Sequence, residues 1–207
     1  QSIRKMYDKL AVKRDNFCDR AEECAELTLP AVLPYDGFSS SSQLYTPFQS
    51  VGARGVNNLA SKLLLLLLPP NQPFFRLSVS GKTQQELETQ PELKTDIEKS
   101  LAKLERRVMK FIEENAIRVP VFEALKHLLI TGNVLLHMSK DSKMKLYNIE
   151  QYVVNRDAYG NLLQIVIKES VSPLTFDEET RMLCQITDNS EDVDLYTNII
   201  QNNNAIW

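Results

Sequence analysis

The chain has 207 residues, enough for one sizeable domain or two small ones. Its hydrophobic content of 43% and its charged content of 25% are typical of a globular protein and exclude disorder over most of its length. The net charge of −3 excludes a uniformly basic nucleic-acid binder, although a localised basic patch is compatible with that value.

The first predicted element is a helix over residues 2–28. Apolar side chains recur on one face at helical spacing, within an arc of about 100°, and Arg14 interrupts this face. The helix is expected to end before Pro30, because proline disfavours helical geometry in the residue that precedes it. A loop is predicted from Pro30 to Pro47, since prolines, Gly37 and the Ser39–Ser42 run are typical of turns and linkers.

A second helix is predicted from near Pro47 to about Leu68, and its two glycines weaken the first turns by roughly 1 kcal/mol each. The Leu63–Leu68 run near its end is far shorter than the roughly 20 apolar residues that span a bilayer. No membrane segment is therefore expected, and a fully buried helix end accounts for the run. Phe75–Val79 alternates apolar and polar residues, which predicts a half-buried strand.

The clearest predicted helix carries an apolar seam whose side chains fall within about 80° of arc. The seam consists of Leu93, Ile97, Leu101, Leu104, Val108 and Phe111. Its heptad-like spacing is suited to packing on a neighbouring element. A further helix is predicted over Val121–Thr131, with Gly132 placed as the residue that ends it.

From Asn133 onward the pattern changes to short strands. The predicted strands are Val134–Met138, Met144–Ile149, Tyr152–Arg156, Leu162–Lys168 and Val193–Gln201. Residues 157–161 form a hairpin connection, and one short helix is expected within Pro173–Leu183.

A further apolar segment starts at Ala205 and reaches Trp207. Because natural proteins avoid open strand edges, the sheet is expected to continue in residues beyond Trp207. The predicted fold class is α+β, with amphipathic helices packed on a small antiparallel β-rich part. The mainly helical region covers residues 1–132 and the β-rich region covers residues 133–207.

Histidines and cysteines form no recognisable catalytic or metal-binding pattern. His127 is expected on the polar face of its helix, four residues after Glu123, and His137 in a core or interface position on a strand. Buried, reduced thiols are expected at the three cysteines, because the two nearest are six residues apart, too far for a disulfide on a helix. The cysteines are Cys18, Cys24 and Cys184.

No nucleophile elbow, zinc pattern or phosphate-binding loop is present in the sequence. The sequence therefore predicts no enzyme, no cofactor and no metal. An enzyme remains an alternative hypothesis, and it would need a nucleophile and a base close in space, with His137 as the candidate.

Two features leave a nucleic-acid-binding module as a further hypothesis. Gly52–Gly55 has the GxxG form of loops that clamp a nucleic-acid backbone, although the flanking βααβ pattern is missing. Alternatively, its small residues let the segment pass close to other backbone, while Arg54 projects to a partner.

The second feature is a stripe of cations, about 60° wide, on the helix that carries the seam. It comprises Lys99, Lys103, Arg106 and Lys110. Like charges at this spacing repel one another. The stripe therefore suits an acidic patch of a neighbouring subunit or nucleic-acid phosphate, or it is a solvated surface balanced by nearby carboxylates.

The segment from Tyr45 to Leu63 closely resembles the portal proteins, or head-to-tail connectors, of short-tailed bacteriophages. Its most specific parts are Val51-Gly-Ala-Arg-Gly55 and Asn57-Asn-Leu-Ala-Ser-Lys62. Further stretches resemble the family in the same order. They are Cys24 with Leu29-Pro30, Phe122-Glu-Ala-Leu-Lys126, Thr131-Gly-Asn-Val-Leu-Leu136, Met144-Lys-Leu-Tyr147, Tyr152-Val-Val154, Arg156-Asp-Ala-Tyr-Gly-Asn161 and Asp194-Leu-Tyr-Thr197.

This resemblance implies a structural subunit of a twelve-membered ring at one vertex of the capsid, in the virion, assembled in the host cytoplasm. Double-stranded DNA would pass through the ring during packaging with terminase and during ejection. Expected partners are the major capsid protein, the tail adaptor and the internal core proteins, with no membrane.

The resemblance covers nearly all of this chain but less than half of a family member. The matching region is the peripheral wing, and the stem, clip and crown would follow later in the chain. The family gives no expectation for the cation stripe, which is inferred from its spacing alone.

Overall fold

The structure is a computed structural model that describes residues 2–35, 38, 42–70, 72–79, 91–141, 143–184, 192–202 and 205–206. Helices and antiparallel strands both occur, which confirms the α+β class. The helices are α1 Ile3–Val12, α2 Asp15–Leu27, α3 Val51–Leu67, α4 Pro91–Glu114, α5 Arg118–Thr131 and α6 Glu178–Cys184. The strands are β1 Leu135–Met138, β2 Met144–Tyr147, β3 Tyr152–Arg156, β4 Leu162–Val171, β5 Val193–Asn202 and β6 Ala205–Ile206. Short 3₁₀ turns occupy Pro30–Val32, Ile149–Gln151 and Pro173–Thr175.

Residues 2–28 form two helices, so the prediction of one continuous helix was wrong. The chain breaks at Lys13 and Arg14, where Arg14 adopts φ −111° and ψ 0°. This break turns the Arg14 side chain onto backbone carbonyls of the 149–152 segment. The tertiary hydrogen bonds of one cation therefore end the first helix where the local sequence alone favours continuation.

The helical core lies where α2, the Pro30–Val32 turn and α5 meet. Its buried members are small or branched, which allows the helices to approach closely. They are Ala21, Ala25, Val32, Leu33, Ile130 and Ile149. Helix α3 packs against α5 and buries Ala60 completely. At the end of α5, Gly132 adopts the left-handed conformation with φ +73°, which confirms its predicted role as the residue that ends this helix.

The strands form two antiparallel arrangements. β1 pairs with β2, with Leu136 opposite Leu146, and β3–β4–β5–β6 form a four-stranded sheet in chain order. The β3–β4 connection at residues 157–161 is the predicted hairpin turn. Asp157 accepts hydrogen bonds from the backbone N–H groups of Tyr159 and Asn161, at 2.9 and 2.7 Å, and Gly160 takes φ +85°.

Both faces of the four-stranded sheet are covered at its centre. Successive side chains of a strand point to opposite faces, and in β4 both Val166 and Ile167 are buried. Val166 packs with Val153 and with Tyr7 of α1. On the other face, Ile167 packs with Tyr147 of β2 and with Tyr152. The sheet therefore holds α1 on one side and the β1–β2 pair on the other.

The predicted strand at Phe75–Val79 is wrong, because this segment has no regular secondary structure. It runs beside α4, where the Leu77 backbone N–H donates to Glu105 Oε1 at 2.7 Å. Alternation along the sequence does not make a strand without a second strand to supply hydrogen bonds.

The predicted end of the sheet is partly outside the described residues, since Trp207 is among those not described. Within the described part, β6 pairs with β5 through Gln201 opposite Ile206 and Asn202 opposite Ala205. The division into a helical region at 1–132 and a β-rich region at 133–207 stays a prediction.

Candidate assembly surfaces

Arg14 fastens the junction of α1 and α2 to the sheet. Its guanidinium donates hydrogen bonds to the carbonyl oxygens of Ile149, Tyr152 and Glu150, the last at 3.0 Å. The Tyr7 hydroxyl donates to the Glu150 carbonyl as well. Burial raises the pKa of Tyr7, and the positive charge of Arg14 acts in the opposite direction. The two side chains thus fix α1 in position on the sheet.

Gly52 lies at the closest approach between the first turn of α3 and the end of α2. A Cβ atom at this position would stand 2.6 Å from the Leu27 carbonyl oxygen, closer than real Cβ contacts allow. At Gly55 a Cβ atom would meet nothing within 4 Å. The close approach that the sequence suggested is therefore present at Gly52 alone.

Gly52–Gly55 lies inside α3, so it is not the nucleic-acid-clamping loop that the GxxG pattern allowed. Arg54 lies on the same turn and is exposed. Its side chain is available to a partner, but the structure does not identify one.

The cation stripe on α4 is exposed and partly paired along its own helix. Lys99 lies 3.6 Å from Asp96 and Lys110 lies 3.4 Å from Glu114, with all four side chains open to solvent. Exposed pairs of this kind contribute little stability. Within the described parts of the chain, Lys103 and Arg106 form no ion pair. The centre of the stripe is thus free to meet an anionic partner.

The apolar seam of α4 is only partly covered. Ile97 and Leu101 are half-buried and line a cavity of about 400 Å³ with residues 76–79. The other seam side chains are exposed, Leu93 by 50%. They are Leu93, Leu104, Val108 and Phe111. This part of the seam is therefore partly open to solvent.

The leucine run at the end of α3 is not the buried helix end that the sequence predicted. Leu65, Leu66 and Leu67 are exposed, Leu66 by 78%. The prediction was wrong because α5 covers α3 on one side only, and a six-leucine run places side chains on every side of a helix.

None of the described helices is long and apolar enough to cross a membrane.

The expected exposure of His127 was wrong. His127 is 8% exposed, because other elements cover α5 on several sides, and burial lowers its pKa while nearby Glu123 acts to raise it. Glu123 instead pairs with Lys126 at 2.7 Å. His137 is exposed on β1, so a core position was wrong, and an interface position stays a prediction.

The three cysteines are free, as expected, but they are not all buried. Cys24 and Cys184 are exposed, and Cys18 is half-buried. The expected burial was wrong because Cys24 lies on the outer side of α2 and α6 buries none of its residues. Among the residues that the structure describes, no group of three metal-binding side chains is present.

Sequence reasoning missed the structural role of Arg14, although a signal was available. A cation on an otherwise apolar helix face indicates that hydrogen-bond acceptors lie opposite it in the fold. Here the acceptors are backbone carbonyls about 135 residues further along the chain. The sequence could not show which carbonyls they would be, since this depends on the tertiary fold.

Comparisons with known proteins give one consistent result. The family model described as bacteriophage head to tail connecting protein matches residues 1–205. The chain is 39% identical over 203 residues to the portal protein of Escherichia phage T7, covering 94% of this chain and 38% of that protein. It is 32% identical over 211 residues to the portal protein of Enterobacteria phage SP6, covering 99% of this chain and 41% of that protein. It is 33% identical over 200 residues to the portal protein of Pseudomonas phage phiKMV, covering 94% of this chain and 39% of that protein. The chain thus spans about two fifths of the length of these relatives.

Proposed function

Since the chain belongs to the family of bacteriophage head-to-tail connecting proteins, we propose that it helps to build a portal ring through which DNA enters and leaves the phage head. The match over residues 1–205, together with relatives that are portal proteins, carries this proposal. The role is structural rather than catalytic. The two-sided packing of the sheet and the exposed apolar and charged surfaces suit a subunit that is braced by neighbours.

In this proposal twelve copies surround a channel at one capsid vertex of the virion, after assembly in the host cytoplasm. The ring contacts the major capsid protein, the tail adaptor and the internal core proteins. Terminase docks on it while double-stranded DNA is packaged. The present residues form the peripheral wing, which surrounds the channel-lining parts.

Electron microscopy of the natural-length protein that carries this sequence tests the proposal. Negatively stained particles of the purified protein should be rings with a central hole. A preparation that contains monomers alone, at concentrations where the protein is folded, contradicts a portal role.

Arg54 is proposed as a contact between neighbouring copies, because it is exposed next to the tightly packed start of α3. Arg54→Ala is expected to reduce the fraction of protein in rings, measured by size-exclusion chromatography with light scattering. Lys62→Ala, an exposed cation on the same helix, is the matched control and should leave the fraction unchanged. Equal ring fractions for both variants would remove the role of Arg54.

Nucleic-acid binding remains the second candidate function, and the observation that favours it is the free centre of the α4 stripe at Lys103 and Arg106. The Gly52–Gly55 segment no longer supports it, because that segment is helical.

A further inference from the structure

Helix α1 carries a stripe of lysines on the side that faces away from the sheet. Lys5, Lys9 and Lys13 repeat every four residues, which places them within about 80° of arc. They lie roughly opposite Tyr7, the α1 residue buried against the sheet. All three are exposed, and none of them takes part in an ion pair within the described residues.

The lysine stripe leads into a groove that is also basic. Lys13, Arg14 and Arg156 line a cavity of about 340 Å³ between the α1–α2 junction and β3. Arg14 is held there by the backbone carbonyls, and Arg156 Nη1 donates to the Gly160 carbonyl at 2.9 Å. We call the three lysines Lys5, Lys9 and Lys13, which are exposed on the outer side of α1, the basic surface. The helix that carries these lysines is fastened to the sheet at its junction with α2.

Helix α2 presents the opposite charge along one side. Asp15, Asp19, Glu22 and Glu26 recur at i, i+4, i+7 and i+11, within about 60° of arc. This acidic stripe lies about 110° around α2 from Ala21 and Ala25, the residues buried in the helical core. Three of its carboxylates are exposed, and Glu22 is half-buried. None of its four carboxylates pairs with a cation in the part of the chain that the structure describes.

The two stripes match in length as well as in charge. At 1.5 Å per residue the lysines span about 12 Å and the carboxylates about 16 Å, both with a spacing of roughly one helical turn. Although α1 and α2 are consecutive, no ion pair joins the two helices. Each stripe repels itself by a few tenths of a kcal/mol per neighbouring pair, and only a partner of opposite sign relieves both.

We propose that the basic surface of one copy receives the acidic stripe of α2 from a neighbouring copy of this chain. Two different surfaces on one subunit give a head-to-tail contact, and such a contact closes into a ring when the rotation between copies allows it. The inference rests on the proposed portal ring and names one surface that joins its subunits. Nucleic acid is the less suitable occupant, because it would leave the matching carboxylates of α2 without partners.

Charge exchange in the natural-length protein tests this contact. One variant reverses the lysine stripe, Lys5→Glu with Lys9→Glu and Lys13→Glu, and a second reverses the acidic stripe, Asp15→Lys with Asp19→Lys and Glu26→Lys. All six side chains are exposed. Each variant alone is expected to weaken ring association by roughly tenfold, because like charges then face each other across the contact. Ring fraction is measured by light scattering and microscopy, and the melting temperature shows that each variant is folded.

The decisive measurement is whether combining the two sets of changes restores ring formation. The chain that carries all six changes exchanges the signs of the two surfaces, so it should form rings like the wild type. Co-expression of the two single-surface variants should also restore rings, in which the two variants alternate. The matched control is Lys62→Glu with Lys140→Glu and Lys143→Glu, exposed positions outside both stripes that change the net charge as much as the lysine variant does. This control should keep normal rings.

Three results would overturn the inference. Normal rings from both single-surface variants show that the stripes do not meet. If the chain with both stripes reversed is folded but forms no rings, the stripes do not meet either. Loss of duplex-DNA binding by the basic-surface variant, with its rings intact, assigns the lysines to DNA instead. If wild-type protein forms rings in these cases, the proposed portal function stands, whereas absence of rings from the wild type rejects both.

Discussion

Two glycines of α3 differ sharply in what surrounds them, although they are three residues apart. Gly52→Ala forces a Cβ atom against the Leu27 carbonyl, and overpacking of this kind costs about 1–3 kcal/mol. Gly55→Ala meets no neighbour, so it should stabilise the helix by up to about 1 kcal/mol. Thermal and urea unfolding measure both changes. Equal effects of the two substitutions would contradict the close approach of α3 to α2.

His127 makes the stability of the fold depend on pH. Its pKa is lowered in the folded state by burial, so the unfolded chain binds the proton more readily. Stability from the neutral imidazole is therefore complete above about pH 6.5 and is lost as the pH falls through the folded-state pKa.

Between pH 7.5 and pH 5, the free energy of unfolding is expected to fall less for His127→Gln than for the wild type. Urea unfolding at several pH values gives the two free-energy curves. Parallel curves would show that His127 contributes nothing to the acid dependence. Other groups titrate equally in both proteins, so the difference between the curves isolates this one side chain.

Residue burial was the least predictable feature from the sequence. A helical wheel placed His127 on a polar face, but α5 is contacted by α2, by α3 and by β2, so its polar side is covered too. The reverse happened at Leu65–Leu67, where a strongly apolar run is left exposed. In both cases the number of neighbours around a helix decides burial, and the sequence of that helix does not contain this number.

At the scale of elements, the break between α1 and α2 depends on Arg14. Arg14→Ala removes the guanidinium donor from the Ile149 and Tyr152 carbonyls, while Tyr7 still donates to the Glu150 carbonyl. The change should destabilise the fold by about 2–3 kcal/mol. Arg14→Lys should recover less than half of this loss, because an ammonium group lacks the planar fork of donors. Urea unfolding measures both variants.

Arg20→Ala is the control for Arg14, since Arg20 is an exposed cation on the neighbouring helix. Arg20→Ala is expected to change the free energy of unfolding by no more than about 0.5 kcal/mol. If Arg14→Ala were as mild as this control, the Arg14 hydrogen bonds would not hold the helix junction on the sheet.

Helices and hairpins with strong local signals were predictable as elements. The α4 seam, Gly132 at the end of α5 and the Asp157–Asn161 turn are each specified by residues within a few positions of one another. The failed predictions depend on distant partners. Residues 75–79 alternate like a strand but lie along α4, and the predicted first helix divides because of carbonyls far along the chain.

At the scale of the whole molecule, the α4 cation stripe is a further candidate contact with an anionic partner. Lys103→Glu with Arg106→Glu should lower the yield of rings or of packaged particles, because both cations lack a partner in the described residues and their reversal repels an anionic one. Light scattering measures assembly, and nuclease-protected DNA measures packaging. Normal ring stability together with normal yield identifies the stripe as a solvated surface.

The family could be predicted from the sequence because the Val51–Lys62 segment is long and unusual, and the family match over residues 1–205 confirms it. The surfaces that join copies could not be predicted as firmly. Charge patterns on α1, α2 and α4 are visible in the sequence, but only the fold shows which sides stay exposed and unpaired.

The attachment of α1 also has a mechanical consequence. Tyr7 contacts Val153 and Val166, and Arg14 holds the backbone on both sides of the start of β3. A force on the lysines of α1 therefore passes into the β3–β4–β5 ladder, where antiparallel hydrogen bonds share the load. The helix is thus fixed on one face of the sheet rather than attached as a hinged arm, so a load at that surface is shared among three paired strands.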